Sequence, residues 1–156
     1  MARNTARDQS ICRNRRATHR FEILERIECG IVLQGTEVKS LRDGTASLEE
    51  AYARIERDEV WLIGCHIGPY THGHTRIHES LRRRKLLLHA RQIRKLKPML
   101  DRRGLTLVPL RLYFNDRGIV KIALALAQGK KVSDKRQALK QREHQRDMER
   151  ATRRRR

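Results

Sequence analysis

The sequence predicts a mainly β domain with short helices and a basic tail, and three observations predict it. First, 156 residues at 38% hydrophobic content suffice for one modest core, not for two full domains. Second, the apolar residues of the middle fall in short, largely alternating runs punctuated by Gly, Asn and Asp. Third, the charge is uneven: residues 1–19 carry net +4, residues 20–127 net +7 and residues 128–156 net +8. In that last segment Val132, Leu139 and Met148 are the large apolar residues. Such a segment buries too little surface to offset its ordering entropy, which predicts a tail disordered when free. Residues 1–19 read as a basic N-terminal arm reaching the start of the first strand, and residues 20–127 as the folded domain.

The elements follow in order. Residues 21–27 alternate as a strand does; Glu28-Cys29-Gly30 predicts a bulge or kink, and Ile31-Val32-Leu33 extends the strand. Thr36 is a candidate N-cap for a short helix over Val38 and Leu41, stopped near Gly44. Residues 51–55 and 60–67 flank Glu56-Arg57-Asp58-Glu59, which reads as a hairpin turn. Ile93, Leu96 and Leu100, spaced i, i+3, i+7, mark the clearest helix, ended by Gly104. Residues 105–114 and 120–126 are strands joined by Asn115-Asp116-Arg117-Gly118, with Val120, Ile122, Leu124 and Leu126 facing the core and Lys121 facing away. Pro109 predicts an edge or a bulge. Several short strands with interposed helices on about 110 residues fit a small antiparallel β-barrel of the OB-fold type.

Charge then bounds the partners. Lys and Arg number 37 against 18 Asp and Glu, a formal net charge of +19. That favours an acidic polyelectrolyte, nucleic acid before a membrane surface. No apolar run approaches the roughly 20 residues of a spanning helix, and the Arg-rich start lacks a secretory apolar stretch. Cys12, Cys29 and Cys65, far apart in sequence, read as small buried thiols of a cytoplasmic protein. His66, His72, His74 and His78 cluster near Cys65, but their spacing matches no zinc pattern; a polar loop facing RNA or solvent is the expectation. No nucleophile elbow, phosphate-cradling glycine loop or carboxylate pair is present, so neither enzyme activity nor a cofactor or metal is expected. Of six aromatics, Phe21, Trp61 and one of Tyr113 or Phe114 are assigned to the core. That leaves few platforms for stacking single-stranded bases, so structured RNA gripped by phosphates and 2′-hydroxyls fits better.

Four strings occur in order: Asn14-Arg15-Arg16-Ala17-x-His19, then Leu33-Gln34-Gly35-Thr36-Glu37-Val38-Lys39-Ser40-Leu41-Arg42, then Arg84-Lys85-Leu86-Leu87-Leu88-His89, then Gly129-Lys130-Lys131-x-x-Asp134-Lys135-Arg136. Together they resemble the tmRNA-binding (SsrA-binding) family, also called small protein B. The resemblance implies an OB-fold barrel that binds the tRNA-like domain of tmRNA and escorts it to stalled ribosomes. It also implies a tail that becomes helical in the empty mRNA channel, against small-subunit RNA. By motif, RNA contacts carry over to Asn14, Arg15, Arg16, His19, Glu28, Arg84, Lys85, Leu88 and Lys121. Ribosome engagement carries over to Gly129, Lys130, Lys131, Asp134, Lys135 and Arg136. Ser133 departs from the family's aromatic or His before Asp-Lys-Arg and lacks a stacking face. Glu28, odd on a basic face, either accepts from a base amino group or 2′-hydroxyl or orients a nearby Arg. A monomer with no membrane partner is expected. The competing classes are a general ribosomal-RNA-binding or ribosome-assembly protein and a metal-dependent nuclease using the histidine loop.

Overall fold

The computed structural model describes residues 9–72, 77–102 and 104–154. In chain order these form β1 (Gln9–Arg13), α1 (Ala17–Arg20), β2 (Phe21–Ile31), α2 (Gly35–Arg42), β3 (Ala46–Ser47), β4 (Tyr52–Glu56) and β5 (Glu59–Ile63). Then come β6 (His66–Ile67), β7 (Arg84–Leu87), α3 (Ala90–Leu100), β8 (Leu105–Phe114), β9 (Val120–Gly129) and α4 (Val132–Arg154). The fold is mainly β with a few helices. The large sheet runs β1-β8-β4-β5-β7-β2-β9, and β9 pairs back onto β8, so six strands form a closed circuit with β1 beside β8. β3 and β6 form a separate two-stranded ribbon.

Local chemistry explains the elements. Two consecutive left-handed residues, Arg57 (φ 49°) and Asp58 (φ 60°), make the tight β4–β5 turn whose twist matches the strands. Between β8 and β9, the Asn115 side-chain oxygen accepts from Arg117 N and Ile119 N, and Gly118 takes φ 72°. β9 alternates as its sequence predicts: Ile122, Leu124 and Leu126 are fully buried while Lys121 is half-buried. Pro109 is tolerated at a bulge, where the β8–β9 register shifts between Pro109 and Arg111. Leu41, Leu48, Leu62, Leu86 and Leu96 close the core from the surrounding elements.

Several expectations need correction. β2 runs unbroken through Gly30, and its bulge lies between Ile23 and Glu25. Gly30 serves close packing instead: a Cβ there would stand 3.3 Å from Leu87 Cβ. α2 is capped at Gln34, whose N–H donates to Glu37 at 2.7 Å, rather than at Thr36. Within the segment read as an N-terminal arm, the chain from Gln9 pairs with β8 and turns through α1. β9 continues to Gly129, past the expected domain end at residue 127. Phe21, Trp61 and Phe114 are half-buried, and Tyr113, 2% exposed, is the deeply buried aromatic. In the tail, which composition predicts to be disordered when free, residues 132–154 form one helix whose described side chains are exposed except half-buried Ala138. Its Lys, Arg, Gln, Glu, Ala and Leu are strong helix formers, so propensity stands in for a packed face.

Candidate nucleic-acid interface

Cations cover the outside of the sheet, and the fold sorts the residues named above into those that face outward and those that do not. Asn14 is buried, 6% exposed. Its amide donates to the carbonyls of Leu48 (3.1 Å) and Pro109 (3.2 Å), and its oxygen accepts from Ala17 N (3.1 Å). It therefore has no free edge for a base and instead fixes the turn that presents Arg15 and Arg16. Arg15 is exposed; Arg16 is exposed beside Glu50 (3.4 Å) and Glu49 (3.7 Å).

Arg84 is the second correction. Its side chain is fully buried. Nε donates to Glu37 at 2.8 Å, Nη1 to Cys65 O at 2.7 Å and Nη2 to Ser80 O at 3.2 Å. Arg82 adds two further bonds to Glu37, at 2.7 and 3.2 Å. Burial acts to raise the Glu37 carboxyl, but hydrogen bonds from Arg82 and the Gln34 N–H, with the Arg84 charge, hold it below the ordinary carboxylate range. Arg84 therefore ties α2 to β7, and its buried guanidinium is spent on internal partners rather than presented at the surface. Along β7 the side chains alternate, so Lys85 faces out and donates to Glu59 at 2.5 Å. Leu88 is half-buried against the core.

Two groupings do form. Glu28 on β2, Tyr113 on β8 and Lys121 on β9 lie on neighbouring strands, with Tyr113 paired to Lys121 and Gly30 paired to Lys121. The Tyr113 hydroxyl donates to exposed Glu28, and the Arg111 guanidinium stacks 4.2 Å from the Tyr113 ring centroid. Glu28 thus has an intramolecular partner, and it is a tyrosine. The other grouping joins α1 to the tail. Lys130 N and Nζ donate to Arg20 O (2.9 Å) and Thr18 O (2.8 Å), while Arg142 donates to His19 Nε2 at 2.8 Å. His19, Arg20, Lys130, Lys135 and Arg142 line a cleft of about 270 Å³ there. Gly129, Lys131, Ser133, Asp134 and Arg136 are exposed.

The histidine loop separates. His78 is buried: its Nε2 donates to Ile67 O at 3.1 Å and its Nδ1 meets the Thr36 hydroxyl at 3.0 Å. His66 and His72 are exposed, and His74 lies outside the described residues. Among the described residues no three His, Cys, Asp or Glu side chains converge as metal ligands. Burial pushes the Cys12 and Cys29 thiols up to about 12 and Cys65 up to about 11, so none is primed as a nucleophile. Trp61, assigned to the core from the sequence, is half-buried instead. It stands on the outside of β5, a position the period-two pattern already marks, because Val60 and Leu62 beside it face in.

A small β domain with outward cations and a basic helical tail defines a class of polyanion-binding protein. The family model described as SmpB protein matches residues 11–154. An SsrA-binding protein of Syntrophobacter fumaroxidans is 54% identical over 94% of this chain and 90% of its own. The SsrA-binding protein of Thermosynechococcus vestitus is 53% identical over 88% and 91%. A solved structure described as "tmRNA-SmpB: a journey to the center of the bacterial ribosome" is 47% identical, with TM-score 0.67 over 82% of this chain and 93% of that one. The chain belongs to the SmpB family.

Proposed function

We infer that this chain is a non-catalytic RNA-binding adaptor that binds the tRNA-like domain of tmRNA and delivers it to stalled ribosomes for trans-translation. The observation that carries the reading is family membership over nearly the whole chain, joined to a solved relative whose description sets tmRNA and SmpB in the ribosome. In this reading the closed strand circuit is an OB-fold-like barrel. Arg15, Arg16, His19, Glu28, Lys121 and Lys85 contact RNA, while Asn14 and Arg84 act indirectly by holding the presenting turn and β7 in place. The tail enters the mRNA channel, with Gly129 through Arg136 meeting small-subunit RNA, and its helix frays when free because like charges along it repel. The protein works in the cytoplasm as a monomer. If roughly five phosphates are contacted, binding of the tRNA-like domain loses affinity with a log–log salt slope of several units, at about 0.7 to 0.9 per phosphate. Recovering the protein from cells and sequencing its RNA tests the whole reading. Enrichment of one alanine-chargeable, messenger-like RNA is expected, and bulk ribosomal RNA alone would turn the assignment to a general ribosome-assembly protein.

A further inference from the structure

Trp61 is the single tryptophan of the chain, and its place on the outer face of β5 leaves it without a core role. Its inward neighbours Val60 and Leu62 fill the interior and are fully buried. The strand register sets Arg54 of β4 on one side of Trp61 and Lys85 of β7 on the other. Arg83 completes the ring of cations, its guanidinium 5.4 Å from the indole centroid and held by Glu56 at 2.6 Å. Beside the indole lies an open cleft of about 480 Å³ lined by Trp61, Arg83, Arg57, Glu56 and Glu59. That is within the roughly 300–1,000 Å³ of small-ligand sites.

We propose that this face is a separate RNA-contact site that takes an unpaired nucleotide, its base stacked on the Trp61–Arg83 pair. An indole accepts any base, because every base has a π-face. A guanidinium plane beside it offers a second stacking surface and a charge for the phosphate. Arg54 and Arg57 meet the neighbouring phosphates, and Glu56 and Glu59 accept from base amino groups or 2′-hydroxyls. Arg54, Arg57 and Arg83 against Glu56, with Glu59 already paired to Lys85, leave the face positive. Around the strand circuit β5 is three strands from β9 in either direction, so this contact is distinct from the one at Glu28 and Lys121. The site stands beside the tmRNA reading and does not depend on it.

A lone tryptophan makes the emission of the full-length protein a direct reporter. Titration with an unstructured uridine hexanucleotide is expected to quench it saturably, with affinity falling as salt rises. Followed by anisotropy of a labelled hexanucleotide, Trp61→Leu binds about fivefold or more weakly, the lower end of one base stack. Trp61→Phe retains most of the affinity. Arg83→Ala, which leaves the core untouched, also weakens binding and guards against a folding artefact in Trp61→Leu. Saturating tRNA-like domain leaves hexanucleotide binding in place, and Trp61→Leu keeps wild-type affinity for that domain within about twofold. Failure of that domain to bind, with the hexanucleotide still quenching, would sink the tmRNA reading and leave this one standing. An unquenched Trp61, wild-type oligonucleotide binding by both variants, displacement by the tRNA-like domain, or tighter binding of an acidic peptide than of RNA would each overturn the proposal.

Discussion

Arg84→Ala removes a guanidinium from the fully buried side of the sheet. Glu37 loses a donor at 2.8 Å, and the carbonyls of Cys65 and Ser80 lose donors at 2.7 and 3.2 Å. Removing one partner of a buried ion pair costs about 3–5 kcal/mol, because the surviving charge is left uncompensated. Arg82 still reaches Glu37, which points to about 3 kcal/mol for the pair itself. Each stranded carbonyl adds about 1–3 kcal/mol unless water reaches it. A total of about 5 kcal/mol, taking each carbonyl at its low end, is a large share of the roughly 5–15 kcal/mol that stabilises a typical domain. The next residue provides the control. Lys85 has a side chain 38% exposed and a surface partner in Glu59, so Lys85→Ala should change stability by less than about 1 kcal/mol. Urea unfolding followed by Trp61 emission, with both variants prepared side by side, reads the difference as a shift in midpoint at unchanged slope. An Arg84→Ala variant within about 1 kcal/mol of wild type, or a Lys85→Ala variant equally damaged, would refute the assignment of Arg84 to structure and Lys85 to surface.

Acid should act through the same pair. The Glu37 carboxyl is held below its unfolded value, so its stabilisation is complete above the unfolded carboxylate pKa of about 4.3 and is lost as pH falls through the folded value. Melting curves against pH should show Glu37→Gln less stable near neutrality yet flatter on the acid side, and parallel curves would contradict this. Iodoacetamide at pH 8 should spare Cys29 and Cys65 in the native protein and label them in urea, because burial holds both thiols far above that pH; native labelling at the rate of a free thiol would count against their burial. Truncation at Val132 should leave the melting temperature and tRNA-like-domain affinity nearly intact while abolishing tagging of stalled peptides. Replacing Asp134, Lys135 and Arg136 with Ala should act in the same direction. Loss of affinity in step with tagging would make the tail part of the RNA-binding domain.

The β8–β9 hairpin was legible because two local signals agree, alternation along each strand and an Asn-to-Gly turn between them. The β4–β5 hairpin and α3 were legible for the same kind of reason. β7 was not. A run such as Arg82-Arg83-Arg84-Lys85 reads as solvated charge, and nothing near it reveals that Glu37, 47 residues earlier, will fold onto Arg84. Asn14 hid its role likewise, since its acceptors lie 34 and 95 residues away. Trp61 was misjudged differently. Its bulk suggested the core, whereas the alternation with Val60 and Leu62 already placed it outside. Composition thus gave the partner class, and register decided which charges can reach it.

β9 gives the molecule a fixed ruler. It pairs along its length with β2 on one side and β8 on the other, and both register shifts fall on those partners, leaving β9 itself regular. Lys121 stands near one end, and at the other Gly129 passes into the tail through Lys130 and Lys131 alone. Eight residues of strand hold the Lys121 patch and the root of the tail about 27 Å apart. An inserted residue within β9 would flip every side chain beyond it, so evolution can adjust that spacing only in the two-residue link or in the helix. The regular strand thus fixes the distance from the Lys121 patch at which the tail starts.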